Sequence, residues 1–227
     1  MKDITIILAS NSPRRRELLR QIGVEPEIRP SNIDEQVTSQ IPEEVVMELS
    51  LQKAEDVAAG APDGTLILGA DTVVAVDGKI LGKPKSHEEA ADMIRMIQGR
   101  AHQVYTGVTL IRKEETGSRG TSFAEKTDVL VYHMTEEEIK AYADLDEPMD
   151  KAGAYGIQGR FAAYIEGIRG DYNNVVGLPV GRVYQEWKNM MEDQEEGKPV
   201  SVSRMPSDDP AGDAGRRVPL PKKEEEE

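Results

Sequence analysis

Asp71, in the run Gly69-Ala70-Asp71-Thr72, offers a carboxylate at the end of an apolar stretch, where it can take a proton from water or hold a divalent cation. An isolated Asp-Thr pair serves equally well in a turn, so its company matters. Upstream, Ser10-Asn11-Ser12-Pro13-Arg14-Arg15 sets hydroxyls and backbone N–H groups at the start of a helix beside two guanidinium groups. That is an arrangement suited to phosphate. It lacks the Gly-x-x-x-x-Gly-Lys-Ser/Thr pattern, which sets aside a P-loop kinase or ATPase. Lys53 falls on an apolar helical stripe, where an ammonium must either reach an edge or point at negative charge. Lys83, in Leu81-Gly82-Lys83-Pro84, is held extended by the proline that follows it. Glu35 adds a second carboxylate in the polar stretch Asn32-Ile33-Asp34-Glu35. Gln158 carries an amide with one donor face and one acceptor face. An amide of this kind, free to flip, can meet any ligand edge that offers an acceptor beside a donor.

Holding these groups requires a succession of strands and helices. Ile4 to Ala9 is β-branched and apolar, and Ser12 caps a helix with Pro13 in its first position, an apolar face of Leu18, Leu19 and Ile22, and Gly23 as its stop. A second helix starts at Pro42, with Val46, Leu49, Lys53 and Val57 on one stripe. Thr65 to Gly69 and Thr72 to Val76 read as two extended pieces joined at Asp71, the second ending in the turn pair Asp77-Gly78. Ser86 with Glu89 opens a third helix that Gly99 closes. His102 to Arg112 and Thr127 to His133 read as strands separated by a loop at 114–121, and Thr135 with Glu138 starts another helix. The glycine-spaced run Asp146 to Gly159 reads as an ordered functional loop, Phe161 to Ile165 as a strand, and Pro179 to Met191 as the last core helix, with Val180, Val183, Tyr184 and Trp187 on one side. Helices and strands alternate early and strands cluster later, which predicts an α/β protein with a mixed sheet.

With 227 residues, 38% of them apolar, the chain supports one core domain over 1–191. Residues 192–227 are rich in Pro, Asp, Glu and Lys and predict a charged, disordered tail. The absence of cysteine removes disulfides, cysteine zinc sites and thiol catalysis. The first apolar run is too short for a signal sequence and no stretch approaches the roughly 20 apolar residues of a membrane span, so a cytoplasmic protein without a membrane partner is expected. A net charge of −14 disfavours binding to nucleic acid, and any phosphate ligand must meet a local basic cluster.

Taken in order, Ala9-Ser10-Asn11-Ser12-Pro13-Arg14-Arg15-Arg16-Glu17-Leu18-Leu19, Lys53-Ala54, Gly69-Ala70-Asp71-Thr72-Val73-Val74, Leu81-Gly82-Lys83-Pro84, His102-Gln103-Val104-Tyr105-Thr106-Gly107-Val108 and Lys151-Ala152-Gly153-Ala154-Tyr155-Gly156-Ile157-Gln158-Gly159 give a chain that resembles the Maf family over about residues 4 to 191. The resemblance implies a mixed twisted sheet with flanking helices and two lobes around a nucleotide cleft, of Maf/ITPase-like kind. It implies a nucleoside triphosphate pyrophosphatase that releases the monophosphate and pyrophosphate with a divalent metal cation, Mg2+ or Mn2+. It makes Asp71 the proton acceptor and sets Glu35 with Asp71 at the metal. Ser10, Ser12, Arg14, Arg15, Lys53, Thr72, Lys83 and Gln158 fall to the substrate. Arg14, Thr72 and Gln158 match the branch associated with dTTP and UTP, which leaves room for modified pyrimidine nucleotides. It leaves a homodimer open, and it carries an alternative: a non-catalytic nucleotide-binding regulator of cell division and septum formation.

Overall fold

Ile6–Leu8, an apolar β-branched run, forms strand β1, and Pro13–Gln21 forms helix α1. These elements belong to a computed structural model that describes residues 4–196. The α1 cap is made as the residues demand: the Ser12 side chain accepts from the backbone of Arg15, Pro13 enters the first turn, and Gly23 takes a positive φ of 78° just beyond. The chain continues through β2 (Glu27–Ile28), α2 (Pro42–Ala59), β3 (Leu66–Val76), β4 (Lys79–Leu81), α3 (His87–Ile97), β5 (Ala101–Glu114), β6 (Gly117–Val131), α4 (Glu136–Ala143), β7 (Ile165–Arg169), α5 (Tyr172–Val176) and α6 (Val180–Glu196).

One seven-stranded sheet runs in the order β2-β1-β3-β5-β6-β7, with β4 paired to β3. β1 pairs in parallel with β2 and β3, and the remaining pairs are antiparallel. The sheet is therefore mixed, as the order of elements predicts. Side chains alternate along β3, so Ile67 packs under α2 while Leu68 and Ala70 pack with α1 and α6 on the other face. Farther along that second face, Val74 and Val76 meet α3 and α4.

β3 changes neighbours part-way along. β5 covers one edge continuously from Leu66 to Ala75. On the other edge β1 pairs with Leu66 to Leu68 and β4 with Val74 to Val76, which leaves 69–73 without a strand beside it. Asp71 lies in that gap, in the middle of one unbroken strand. The sequence reading of two extended pieces meeting at a strand end is thereby corrected: β5 pairs straight through Asp71, opposite Gly107, so nothing interrupts the ladder.

Four more expectations change. The loop expected at 114–121 is strand, because β5 and β6 stay paired up to Glu114 and Gly117 and only two residues turn the hairpin. The polar run misled because its face of the sheet is largely solvated. Arg160–Tyr164 is a 3-10 turn that buries Phe161 among Tyr142, Tyr155 and Tyr164, and the strand begins at Ile165. Tyr184 is 38% exposed, leaving Val180, Val183 and Trp187 as the buried stripe of α6. That helix runs on to Glu196, into the expected tail, and residues 197–227 lie outside the described residues. Among the described residues no helix is long and apolar enough to cross a membrane.

Two glycines let α2 lie directly on the sheet. A Cβ at Gly69 would strike the Ser50 carbonyl and Ala54, and one at Gly107 would strike the Val46 carbonyl. Since α2 carries Lys53, these contacts set how close that lysine comes to β3. Gly107→Ala is expected to destabilise the fold by about 1–3 kcal/mol, with a melting-temperature fall of about 2–4 °C for each kcal/mol. Gly181→Ala, on α6 with open space around it, should leave the melting temperature unchanged or raise it slightly. Equal melting of the two variants would show that the approach is not tight.

Candidate active site

The unpaired stretch of β3 opens onto a cleft of about 870 Å³. Ser10, Ser12, Arg14, Arg15, Glu35, Lys53, Asp71, Thr72, Lys83 and Gln158 all line it. Residues from six separate parts of the chain are thus brought to one place, and the gap explains why both faces of β3 contribute. Asp71 points to the α2 side and Thr72 to the α1 side, as neighbours on a strand must.

On the α2 side, Lys53 Nζ donates to Asp71 Oδ1 at 2.5 Å and pairs with Glu35 Oε1 at 2.9 Å. The Lys53 and Asp71 side chains are only 15% and 17% exposed. The apolar stripe of α2 does carry this lysine inward, and its charge is met by two carboxylates. A single cationic point therefore lies between Glu35 and Asp71.

On the α1 side, Arg15 is held in a fixed pose. Its Nε donates to the Gly177 carbonyl at 2.9 Å, Nη1 to Ser10 Oγ at 3.2 Å and Nη2 to Thr72 Oγ1 at 3.1 Å. Burial pushes its pKa down, the Asp71 carboxylate pushes it back up, and Arg14 opposes it again. A buried guanidinium stays charged only with such acceptors around it. Arg15 thus ties α1, β3 and the turn after α5 together, while Arg14, Lys83 and Gln158 reach the cleft from the first turn of α1 and from two loops. Ser10 and Ser12 are partly committed too, accepting from the backbones of Ser12 and Arg15.

The loop bearing Gln158 is braced from behind. Glu147 accepts from Tyr142 Oη and from the backbone of Arg160, both at 3.0 Å, and a side chain at Gly159 would run into its carboxylate. Lys151 Nζ donates to the Glu147 carbonyl at 2.8 Å and to Asp150 at 2.6 Å. Tyr155 Oη meets His102 Nε2 at 2.7 Å inside the core. Burial, with Arg100 nearby, pushes His102 down to about 4, and burial pushes the Tyr155 hydroxyl up, so both are neutral near pH 7.

Sequence reasoning missed Gly177, Thr106 and Asn174, which build the wall behind Thr72. The pair Gly177 and Pro179 flanks a short helix stop and could have pointed to α5, but nothing in the spacing shows that its carbonyls reach Arg15 and Thr106. Chemically, the cleft can hold an anion of several charges against Arg14, Arg15, Lys53 and Lys83, and it offers Asp71 as a base beside it.

Residues 5–190 match the sequence profile of the family described as Maf-like protein. A dTTP/UTP pyrophosphatase of Agathobacter rectalis is 54% identical over 198 residues, spanning 82% of this chain and 97% of the relative. One of Carboxydothermus hydrogenoformans is also 54% identical over 181 residues, spanning 80% and 96%. Among solved structures the Ham1 protein of Staphylococcus aureus is similar at 14% identity and a TM-score of 0.40, over 56% of this chain and 71% of that one, too distant to carry an argument. With the profile spanning most of the sequence and both relatives matched almost end to end, this chain belongs to the Maf family.

Proposed function

We propose that this chain is a nucleoside triphosphate pyrophosphatase that hydrolyses dTTP and UTP to the monophosphate and pyrophosphate. Relatives at 54% identity bear that name, and the observation that supports it most is the partly buried Asp71 beside Lys53 and Glu35 in a cleft that Arg14, Arg15 and Lys83 also line.

Water attacks the α-phosphorus, Asp71 Oδ1 or Oδ2 accepts its proton, and pyrophosphate leaves. Negative charge grows on phosphoryl oxygens during that displacement, and Arg14, Lys53 and Lys83 neutralise it. Arg15 adds charge from behind while holding Ser10 and Thr72 in place. The local basic cluster draws a triphosphate into a protein of net charge −14, whose remaining surface repels longer polyanions.

The donor set fits a divalent cation. Glu35 and Asp71 converge on one cationic centre, now the Lys53 ammonium. Among the described residues no three acidic or histidine side chains cluster, so phosphate oxygens and water must complete the shell. Mg2+ takes one or two carboxylates plus substrate phosphates in that manner, and Mn2+ accepts the same oxygen donors. When bound, the ion would polarise phosphoryl oxygens and lower the pKa of water.

Release of pyrophosphate from a panel of nucleoside triphosphates, with and without added Mg2+ or Mn2+, tests the reading. Hydrolysis of dTTP and UTP above the purine nucleotides and CTP is expected; nucleotide binding without any release would return the non-catalytic regulator. Asp71→Asn preserves size and removes the base, so turnover should fall by at least about a hundredfold in a folded protein. Hydrolysis near the parent rate would refute the role of Asp71. Gln158→Glu replaces the amide donor with a carboxylate and should weaken dTTP turnover while metal binding persists. Unchanged selectivity across the panel would remove Gln158 from base recognition.

A further inference from the structure

Behind Thr72 a chain of buried hydrogen bonds runs through the sheet. Thr72 Oγ1 and Thr106 Oγ1 lie 2.9 Å apart, across the β3–β5 ladder where the two residues are paired. Thr106 Oγ1 lies 3.1 Å from the Asn174 carbonyl. Asn174 is itself locked, its amide donating to the Val104 carbonyl at 3.1 Å and to Thr127 Oγ1 at 2.9 Å. Thr106 and Asn174 are fully buried.

Each hydroxyl has one proton, and the distances decide where both go. If Thr106 donates to the Asn174 carbonyl, Thr72 donates to Thr106 and both protons lie in bonds of 3.1 and 2.9 Å. If Thr106 instead donates to Thr72, the Thr72 proton is left with the Gly177 carbonyl at 3.5 Å. That distance is at the limit of a hydrogen bond, whereas Thr106 Oγ1 reaches the Asn174 carbonyl at 3.1 Å. The first arrangement wins. Arg15 Nη2 then occupies one lone pair of Thr72 Oγ1, which leaves one for a ligand in the cleft that Thr72 lines.

We propose that Thr106 and Asn174 are positioning residues for base selection: by taking the Thr72 proton they fix Thr72 Oγ1 as a hydrogen-bond acceptor toward the cleft, which admits the N3–H of uracil or thymine and rejects the bare N3 of cytosine. The proposal rests on the pyrophosphatase reading. Phosphate oxygens are acceptors and cannot satisfy this lone pair, so within the substrate only a donor on the nucleoside can. Arg14, Gln158 and Val176 line a recess of about 320 Å³ on the same wall, and Val176 adjoins the Gly177 that holds Arg15 beside Thr72. The Gln158 amide can flip, donating to O4 of uracil or accepting from N4 of cytosine, and so does not by itself separate the two. Thr72 cannot flip while Thr106 holds its proton, and so it is the group able to break the tie.

Thr106→Val and Thr106→Ala remove the acceptor, the first keeping the volume, and free Thr72 to donate; Thr106→Ser keeps the relay. For each variant that melts within a few degrees of wild type, kcat/KM is measured for UTP, CTP and dUTP, and affinity for the α,β-methylene analogues of UTP and CTP by calorimetry. The UTP-over-CTP preference is expected to fall by about tenfold or more in Thr106→Val or Thr106→Ala, through better use of CTP, and to return in Thr106→Ser. A UTP-over-CTP ratio kept at the wild-type value in turnover and in binding would overturn the proposal. A change confined to UTP against dUTP would also overturn it, since Thr72 would then read the sugar. If wild-type protein hydrolyses none of these nucleotides, the pyrophosphatase reading falls, and the calorimetric ratio alone decides the relay.

Discussion

β3 carries β5 along one edge for its whole length but has β1 and β4 in succession on the other, and a strand that exchanges neighbours must leave backbone uncovered between them. The exchange falls at residues 69–73. Everything distinctive about the cleft follows from it. The gap lets a ligand approach β3 from its edge, where the two faces of the strand are equally near. Asp71 and Thr72, which alternation sends to opposite faces, can therefore both line one cavity. In a fully paired sheet one of them would be sealed under a helix.

The two faces then divide the work by the chemistry of what packs on them. α2 lies close on one side because Gly69 and Gly107 remove the side chains that would hold it off, and it delivers Lys53 to Asp71 and Glu35. That side holds formal charge, an ammonium between two carboxylates, where a divalent cation or a phosphate brought by a ligand finds partners of opposite sign. α1 and the turn after α5 lie on the other side, where Arg15, Thr72, Thr106 and Asn174 spend their hydrogen bonds on one another. That side is rigid, because each member fixes the next and burial makes an unmet bond costly. An ionic half suits phosphate chemistry, and a hydrogen-bonded polar half suits discrimination between bases.

Much of this was legible in the chain. The Ser12 cap with Pro13, the Pro42 start of α2, the Asp77-Gly78 hairpin turn and the Thr135–Glu138 capping box are local contracts between neighbouring residues, and each formed where its signal stood. The placement of Lys53 on an apolar stripe was legible too, since an ammonium there needs a negative partner. The misreadings share a cause. Glu114 to Thr121 looks like loop and Phe161 to Ile165 looks like strand, but pairing of β5 with β6 claims all but two residues of the first and ring packing around Phe161 claims the second. Asp71 was misplaced to a strand end for the same reason, its partner Gly107 lying far along the chain.

The sequence by itself determined most of the helices and main strands, the mixed sheet and the inventory of chemical groups, because capping, turn formation and periodicity act over a few residues. Only the tertiary structure decided that Asp71 sits at a gap in the middle of a strand, that Lys53 stands between it and Glu35, and that Arg15 is bound to the Gly177 carbonyl. It also decided which way the Thr72 hydroxyl points its proton. That last choice depends on a carbonyl 102 positions away, Asn174 against Thr72, brought within reach by the packing of α5 on β5. Hydrogen-bond direction is settled by the whole set of neighbours a group finally has, and no local pattern contains them.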